Sequence, residues 1–339
     1  MNAITLIGID IGKHTFHVHG QDAKGHAVLR RQFNRTHLLR ALANLPACTV
    51  VMESCAGAHW LARQIQALGH SVKLIAPQYV KPFVQGNKND FRDAQAICEA
   101  ASRPSMRFVA IKTVEQQTLS ATHRLRDALV SQRTVAINQV HGFLLEFGIA
   151  LPATKTALQR LPGVIDDPAL PLRLRAVLLR LHAHIQSLTQ EIQAIEAELV
   201  AQVKADDAGQ RLLSIPGIGP ITASALAANA GDASQFRSGR DFAASLGLVP
   251  RQYSTGGRAN LLGISKRGNK HVRRLLVQGA RAVMQHAERR TDGLGVWIRQ
   301  LLQRRHSNVV ACALANKLAR IAWAVLTKHS CYAARPAMS

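Results

Sequence analysis

The first hundred residues constrain the fold most, because short apolar runs typical of strands alternate there with amphipathic stretches typical of helices. Strand patterns come first, over residues 4–10, 14–20 and 25–33, and an Asp-Ala-Lys-Gly turn separates the second from the third. The connections between them are short. This arrangement predicts three consecutive antiparallel strands at the start of the chain.

Helix and strand patterns then alternate. A helix is predicted from Thr36, as its N-cap, to about residue 45, followed by a buried strand over residues 48–52 that ends at Glu53. A helix over residues 57–68 and a strand over 71–76 come next. Three antiparallel strands followed by alternating helices and strands is the order of the α/β RNase H-like fold. We therefore predict such a domain over residues 1–112, with its active site at one end of the sheet.

Four carboxylates fall at informative points of this pattern. Asp10 ends the first strand and Glu53 ends the fourth, and these strands are neighbours in the predicted topology. Asp90 and Asp93 stand three residues apart where a helix pattern opens, so they share one helical face. Taken singly, each acid has a bland interpretation as a turn residue, a helix cap or a favourable charge at a helix N-terminus. Together they predict an acidic cluster.

Such a cluster needs positive charge. Four carboxylates close together repel strongly unless divalent cations neutralise them. Oxygen ligands suit Mg²⁺ or Mn²⁺, and two such ions about 4 Å apart stabilise the attacking and leaving oxygens of a phosphoryl transfer. The four acids are therefore predicted to be catalytic and metal-binding. Asp22 and Asp127 lie outside the cluster and are interpreted as structural.

The charge balance limits the partners. The chain has 43 Lys and Arg residues against 20 Asp and Glu, a net charge of +23, which predicts a polyanionic partner, either nucleic acid or an anionic membrane. A membrane is disfavoured, because no apolar run approaches the roughly 18 residues that a span needs. The five cysteines show no CxxC spacing and no signal peptide pattern opens the chain. These features predict a cytoplasmic protein that binds DNA.

The middle of the chain, residues 113–208, is predicted to be helical. From Leu174 to Leu199 apolar residues recur at alternating steps of four and three, which is a heptad seam. A coiled coil between copies of the chain, giving a dimer to tetramer, is one interpretation. A long amphipathic helix packed within one chain is the other.

A basic loop with two hydroxyl groups lies in the C-terminal region, residues 209–330. Ser254 and Thr255 precede a Gly-Gly pair that permits positive φ, with Arg251 and Arg258 on either side. Such a loop suits a nucleophile that attacks a phosphodiester held by the arginines. The alternative is a surface turn, in which these residue types also cluster.

Further features of the C-terminal region suggest contact with nucleic acid. The turn that contains Gly217 and Gly219 precedes an Ala-rich helix, a pattern typical of a helix-hairpin-helix whose backbone N–H groups hold a phosphate. A Gly-rich connector between helices is the alternative. Downstream residues predicted to contact phosphate are Lys266, Arg267, Lys270, Arg273 and Arg274. The C-terminal domain is predicted to be mainly α-helical.

Three segments carry a family resemblance. Residues 8–13 (GIDIGK), 52–54 (MES) and 88–94 (KNDFRDA) resemble the DEDD segments of the insertion-sequence 110 family of transposases, particularly its 1111 subgroup, and residues 247–257 with 263–276 resemble its transposase domain. The resemblance implies a RuvC-like N-terminal domain, a serine nucleophile at Ser254, and a bridge RNA that pairs with target and donor DNA. It further implies a coiled-coil insertion that joins protomers and active sites shared between them.

The sequence is thus identified as that of a DNA transposase or recombinase. Asp10, Glu53, Asp90 and Asp93 would hold the metal, and Ser254 would attack the phosphodiester. A metal-dependent endonuclease or junction resolvase that uses water is the main alternative, beside a related DNA invertase. A non-catalytic nucleic-acid-binding protein would explain the charge but not the placement of the acids.

Overall fold

The computed structural model of the chain describes residues 3–86, 89–152, 157–168, 170–231, 233–334 and 336. Lys88, quoted in one of the motifs, lies outside the described residues. Contacts divide the chain into two compact units, Met1–Val114 and Glu115–Ser339.

The first unit is built on a six-stranded mixed sheet with the strand order β3-β2-β1-β4-β5-β6. β1 to β3 are antiparallel, β4 and β5 run parallel to β1, and β6 is antiparallel to β5. This topology agrees with the predicted RNase H-like arrangement, to which the structure adds the short sixth strand. The strands are β1 (Leu6–Ile11), β2 (Phe16–Gln21), β3 (Ala27–Phe33), β4 (Thr49–Glu53), β5 (Ser71–Ile75) and β6 (Phe108–Val109).

Helices cover both faces of this sheet because its central strands are apolar on both sides. Val50 and Met52 of β4 pack on one face with α1 and α2, whereas Val51 points to the other face and packs with α4. The helices are α1 (Arg35–Ala43), α2 (Ala58–Ala67), α3 (Pro77–Val80) and α4 (Asp90–Ala101), with a 3-10 turn at Lys81–Phe83.

The predicted N-cap of α1 is wrong by two residues. Asn34 caps the helix, since its side-chain oxygen accepts a hydrogen bond from the backbone N–H of His37 at 2.9 Å. Thr36 lies in the first turn. Asn is at least as good a cap as Thr, so local preference did not separate the two positions.

The second unit begins with a long helical hairpin. Its helices are α5 (Val114–Leu145), α6 (Ala157–Ile165) and α7 (Leu172–Ala205). Val140 of α5 lies in one apolar cluster with Leu178 of α7, while Arg126 pairs with Glu196 farther along α7. α5 and α7 therefore run antiparallel.

The heptad seam of α7 is used within the chain. Leu178 and Leu199 are fully buried, and Ile185, Leu188, Ile192 and Ile195 are nearly so, in a single copy. Leu174 and Leu181 pack against the cluster shared with α5 and α6. This burial is what the intramolecular interpretation predicts. Association of copies into a dimer or tetramer stays a prediction.

The rest of the second unit is a helical core with one small hairpin. Its elements are α8 (Asp207–Leu213), α9 (Pro220–Ala230), α10 (Gly239–Ser245), β7 (Pro250–Gln252), β8 (Leu261–Ile264), α11 (Lys270–Gln285), α12 (Gly293–Leu302) and α13 (Ser307–Lys328). A 3-10 turn spans Ala287–Arg289. The buried side chains of these helices form one apolar cluster.

The expectation that no run is long and apolar enough to span a membrane was wrong for α13. By length and composition alone, this one helix passes that test. Lys317 and Arg320 lie within this helix, so a search for uninterrupted apolar sequence does not find it. Half of the apolar window is buried, and Leu314, Leu318 and Ala322 belong to the core cluster. A helix that packs in a protein core can have the same length and apolar composition.

Candidate functional site

Asp10 and Glu53 lie side by side at the ends of neighbouring parallel strands. The register of β1 and β4 pairs Ile9 with Met52, which places the next residue of each strand at the same edge of the sheet. The negative charge of Asp10 is one of the causes that raise the pKa of the Glu53 carboxyl, as expected for neighbours. The structure thus brings these two predicted acids together.

Helix α4 brings Asp90 and Asp93 to the same region. Asn89 caps it, because its side-chain oxygen accepts a hydrogen bond from Phe91 N at 3.0 Å. The helix packs closely on β1 at Gly8, where a Cβ atom would lie 2.3 Å from the carbonyl oxygen of Ala94. Only glycine permits this approach, so Gly8 sets how near the two helix acids come to Asp10.

The electrostatics of Glu53 reflect two other acids of the cluster, Asp10 and Asp93. Its pKa is raised, first by partial burial and then by the charges of Asp10 and Asp93. Like charges held this close favour a bound cation. Carboxylate oxygens are the ligands that hard divalent ions prefer, so the residues present fit such an ion.

Ser254 lies in an exposed hairpin loop between β7 and β8. The loop closes at Gly256 and Gly257, whose φ angles are +56° and +74°. Arg258 N donates to Thr255 O at 3.1 Å across the turn. Two successive residues with positive φ are what a two-residue hairpin turn requires. The Gly pair therefore permits the tight turn, as predicted. The same loop carries Ser254, so the surface-turn interpretation does not exclude the nucleophile interpretation.

The two hydroxyl groups of the loop differ in their surroundings. Oγ of Ser254 accepts hydrogen bonds from Gln252 Nε2 at 2.7 Å and from Asn260 N at 3.3 Å. Among the described residues, no side-chain hydrogen bond is recorded for Thr255. Two donors on Oγ would stabilise a negative charge on this oxygen if its proton were removed.

Comparison with known proteins bears on both regions. Residues 7–149 match the DEDD transposase family of IS110 elements, and residues 209–293 match the family described as Transposase IS116/IS110/IS902. The chain is 56% identical over 332 residues to the transposase for insertion sequence element IS1328 of Yersinia enterocolitica, covering 98% of this chain and 99% of the relative. The chain belongs to the IS110 family of transposases. The transposase is also 43% identical to the IS1111A transposase of Coxiella burnetii, over 98% of this chain and 92% of that one.

This membership confirms the predicted enzyme class. The transposase is a DNA-cleaving and recombining enzyme of an insertion sequence, and its DEDD domain implies the use of a divalent metal.

The predicted phosphate-binding residues of the transposase fall into two groups. Arg251, Arg258, Lys266, Arg267 and Lys270 are exposed. Arg273 and Arg274 have partners inside the second unit, although Arg274 is exposed as well. Arg273 donates to Leu246 O at 2.8 Å, and Arg274 pairs with Asp127 of α5. These two contacts hold α11 in place.

Asp127 has the structural role that was predicted for it. It also contacts His271, whose Nδ1 lies 2.7 Å from its Oδ2. Asp22 is likewise structural, because its carboxylate accepts hydrogen bonds from the backbone of Lys24 and His26 in the turn before β3.

The turn between α8 and α9 has the geometry of a tight helical connection. Gly217 has φ +80°, and Gly219 is the N-cap of α9 with Pro220 after it. A Cβ atom at Gly217 would lie 2.7 Å from Gly279 O of α11, so this glycine serves packing. Gly219 is exposed, and a Cβ atom there would meet nothing within 4 Å.

One residue beside the acids was missed by the sequence analysis. His17 is buried on β2 and pairs in register with Asp10 across the β1–β2 hairpin. Its Nδ1 lies 3.6 Å from Oδ2 of Asp90. Asp10, His17 and Asp90 each offer a ligand atom, and these atoms lie within 4.8 Å of one another. Counting outward from the short turn at Gly12, where Gly12 N donates to Thr15 O, would have paired residues 10 and 17.

Proposed function

We propose that this transposase cleaves and exchanges DNA strands with Asp10, Glu53, Asp90 and Asp93 as holders of Mg²⁺ or Mn²⁺ and Ser254 as the nucleophile. The observation that carries the metal site is the convergence of the acids, because the β1–β4 register puts Asp10 beside Glu53 and ligand atoms of Asp10 and Asp90 lie within 4.8 Å of each other. The paired donors on Ser254 Oγ support the choice of nucleophile.

The four acids would bind the metal ion. When bound, the divalent ion supplies positive charge that stabilises the phosphoryl oxygens and the attacking and leaving oxygens. The protein positions the carboxylates by the β1–β4 register and by the close packing of α4 on Gly8. Rigid placement of this kind is what a phosphoryl transfer site requires.

The serine forms the covalent intermediate. Its Oγ forms a bond to phosphorus, the bond from phosphorus to one deoxyribose oxygen breaks, and the serine proton passes to the departing oxygen through a base. Residues 250–264 contain no His, Asp or Glu, so the base lies outside the hairpin. The phosphoserine keeps the energy of the broken phosphodiester, which lets strands rejoin without ATP.

The basic residues bind the nucleic acid. Arg251 and Arg258 flank the serine and are exposed, so they are available to hold phosphate oxygens. Gly219 and the N-terminus of α9 offer backbone N–H groups to a second phosphate. We assign no base-reading element, and sequence recognition through a bound bridge RNA agrees with contacts of this type. Sequencing the nucleic acid that co-purifies with the protein tests for that RNA.

The metal site is tested by comparing cleavage with DNA binding. We expect Asp10→Asn and Glu53→Gln to lower strand cleavage at least about a hundredfold while DNA affinity stays close to that of the wild type. The ligands serve the metal, whereas affinity comes from the basic surface. Glu99→Gln is the matched control on α4. Glu99 pairs with Arg103 and is not one of the four acids, so this variant should keep full activity. Near-normal cleavage by both acid variants would reject the site.

A further inference from the structure

His17 is a buried imidazole at the edge of an acidic site. It is 9% exposed, so its ring is almost entirely shielded from water. Its Nδ1 faces Asp90 Oδ2 at 3.6 Å, which is too long for a hydrogen bond. The ring nitrogen and the oxygens of Asp10 and Asp90 are nevertheless close enough to surround one ion.

We propose that His17 contributes an imidazole nitrogen to a divalent ion held by Asp10 and Asp90, and that this nitrogen shifts the preference of that site from Mg²⁺ towards Mn²⁺. The proposal rests on the proposed metal site of the DEDD acids and adds a ligand to it. Mg²⁺ prefers oxygen ligands almost exclusively, whereas imidazole suits the transition metals better. One nitrogen among carboxylates therefore changes which ion binds best.

The surroundings hold the ring in place. The His17 ring packs edge-on against Phe91, with 4.8 Å between the centroids and an interplanar angle of 75°. The guanidinium of Arg30 lies 4.6 Å from the centroid of the same Phe91 ring. Phe91 follows Asp90 at the start of α4, so one helix turn positions a metal ligand and the aromatic ring that orients the histidine. A ligand fixed before binding loses little freedom on binding.

The competing explanation is that His17 is only a buried neighbour of Asp90. It makes a clear contrary prediction, because a histidine that does not touch the ion leaves no nitrogen signature on it. A spectroscopic measurement on the bound ion separates the two explanations independently of activity.

The experiment is pulsed EPR on the full chain loaded with Mn²⁺. We expect ¹⁴N modulation from a coordinated imidazole in the wild type, its replacement by a ¹⁵N pattern after labelling with ¹⁵N-histidine, and its loss in His17→Asn. His19→Asn is the matched control, since His19 is also buried on β2 and hydrogen-bonds Gln21 instead of a cluster acid. The ¹⁴N modulation should persist in that variant.

Metal affinities give a second readout. By calorimetry, His17→Asn should weaken Mn²⁺ binding about tenfold or more, since even an outer partner of a ligand is commonly worth that much, and should change Mg²⁺ binding far less. His17→Gln provides the same test if the Asn variant does not fold.

The outcomes separate this inference from the proposed function. If Mn²⁺ binds in an Asp10-dependent way but the wild type shows no histidine nitrogen, or if His17→Asn keeps it, the role of His17 is rejected and the acid site stands. If Asp10→Asn leaves Mn²⁺ binding unchanged, both are rejected.

Discussion

Burial and neighbouring charges raise the pKa of Glu53, and this has a consequence for stability. Burial and the charges of Asp10 and Asp93 disfavour its ionised form in the folded protein. A carboxyl with a raised folded pKa binds its proton more tightly when folded than when unfolded, so it lowers stability as pH rises. The ionised Glu53 carboxylate therefore destabilises the metal-free protein at neutral pH, and a divalent ion at the proposed site would offset this cost.

Replacing Glu53 with an uncharged residue measures how much its ionised carboxylate destabilises the fold. We expect Glu53→Gln to raise the melting temperature of the metal-free protein at pH 7 by about 2 °C or more, because it removes a repelled charge. The gain should vanish as pH falls below about 4.5, the ordinary value for Glu, since the carboxyl is then protonated in both states. Melting curves with and without Mg²⁺ across this pH range check it. A Glu53→Gln protein that is less stable at pH 7 without metal would contradict the account.

At the scale of elements, the packing of α4 on β1 positions half of the acidic site. A Cβ atom at Gly8 would also lie 2.7 Å from Cys98 Sγ, in addition to its clash with the Ala94 carbonyl. Backbone and a buried side chain cannot both move aside without displacing the helix. The geometry of the acids therefore depends on a residue that has no side chain.

We expect Gly8→Ala to destabilise the protein by about 1–3 kcal/mol through overpacking and to lower cleavage as α4 shifts. Gly142→Ala is the control, because Gly142 lies within α5 and a Cβ atom there meets nothing within 4 Å. That change should be neutral or slightly stabilising. Chemical denaturation measures both. Equal stability of the two variants would show that α4 does not depend on this close approach.

The helical hairpin supplies a second element-scale prediction. Leu188 is 6% exposed within a single chain, so Leu188→Glu should lower the melting temperature by the same amount at any protein concentration. If copies paired through the seam, stability would depend on concentration instead. Gln190→Glu, at an exposed position of α7, is the control. Melting curves over a hundredfold dilution distinguish the two arrangements.

Across the whole molecule, features that depend on local sequence were easier to predict than features that depend on which segments contact each other. The positions of the strands that carry Asp10 and Glu53 followed from apolar runs, which are local properties of sequence, and the adjacency of those strands followed from the order of elements in the RNase H-like fold. His17 was missed because its relation to Asp10 depends on a hairpin register, and the α7 seam left its partner undecided because the same apolar stripe suits another helix of the chain or a second copy. Net charge indicated a polyanionic partner, but the sequence did not show that Arg273 and Arg274 have partners within the protein.

The central claim is that Ser254 becomes bonded to DNA phosphate, and the most direct measurement is mass spectrometry of the protein–DNA species that survives denaturation. The assay uses the full chain with element-end DNA and Mg²⁺, and compares the wild type with Ser254→Ala and Thr255→Ala. Because only Ser254 Oγ receives hydrogen bonds from Gln252 and Asn260, we predict an adduct on the peptide carrying Ser254 in the wild type and in Thr255→Ala, and none in Ser254→Ala. Cleaved DNA without any adduct, or an adduct that persists in Ser254→Ala, would contradict the serine mechanism.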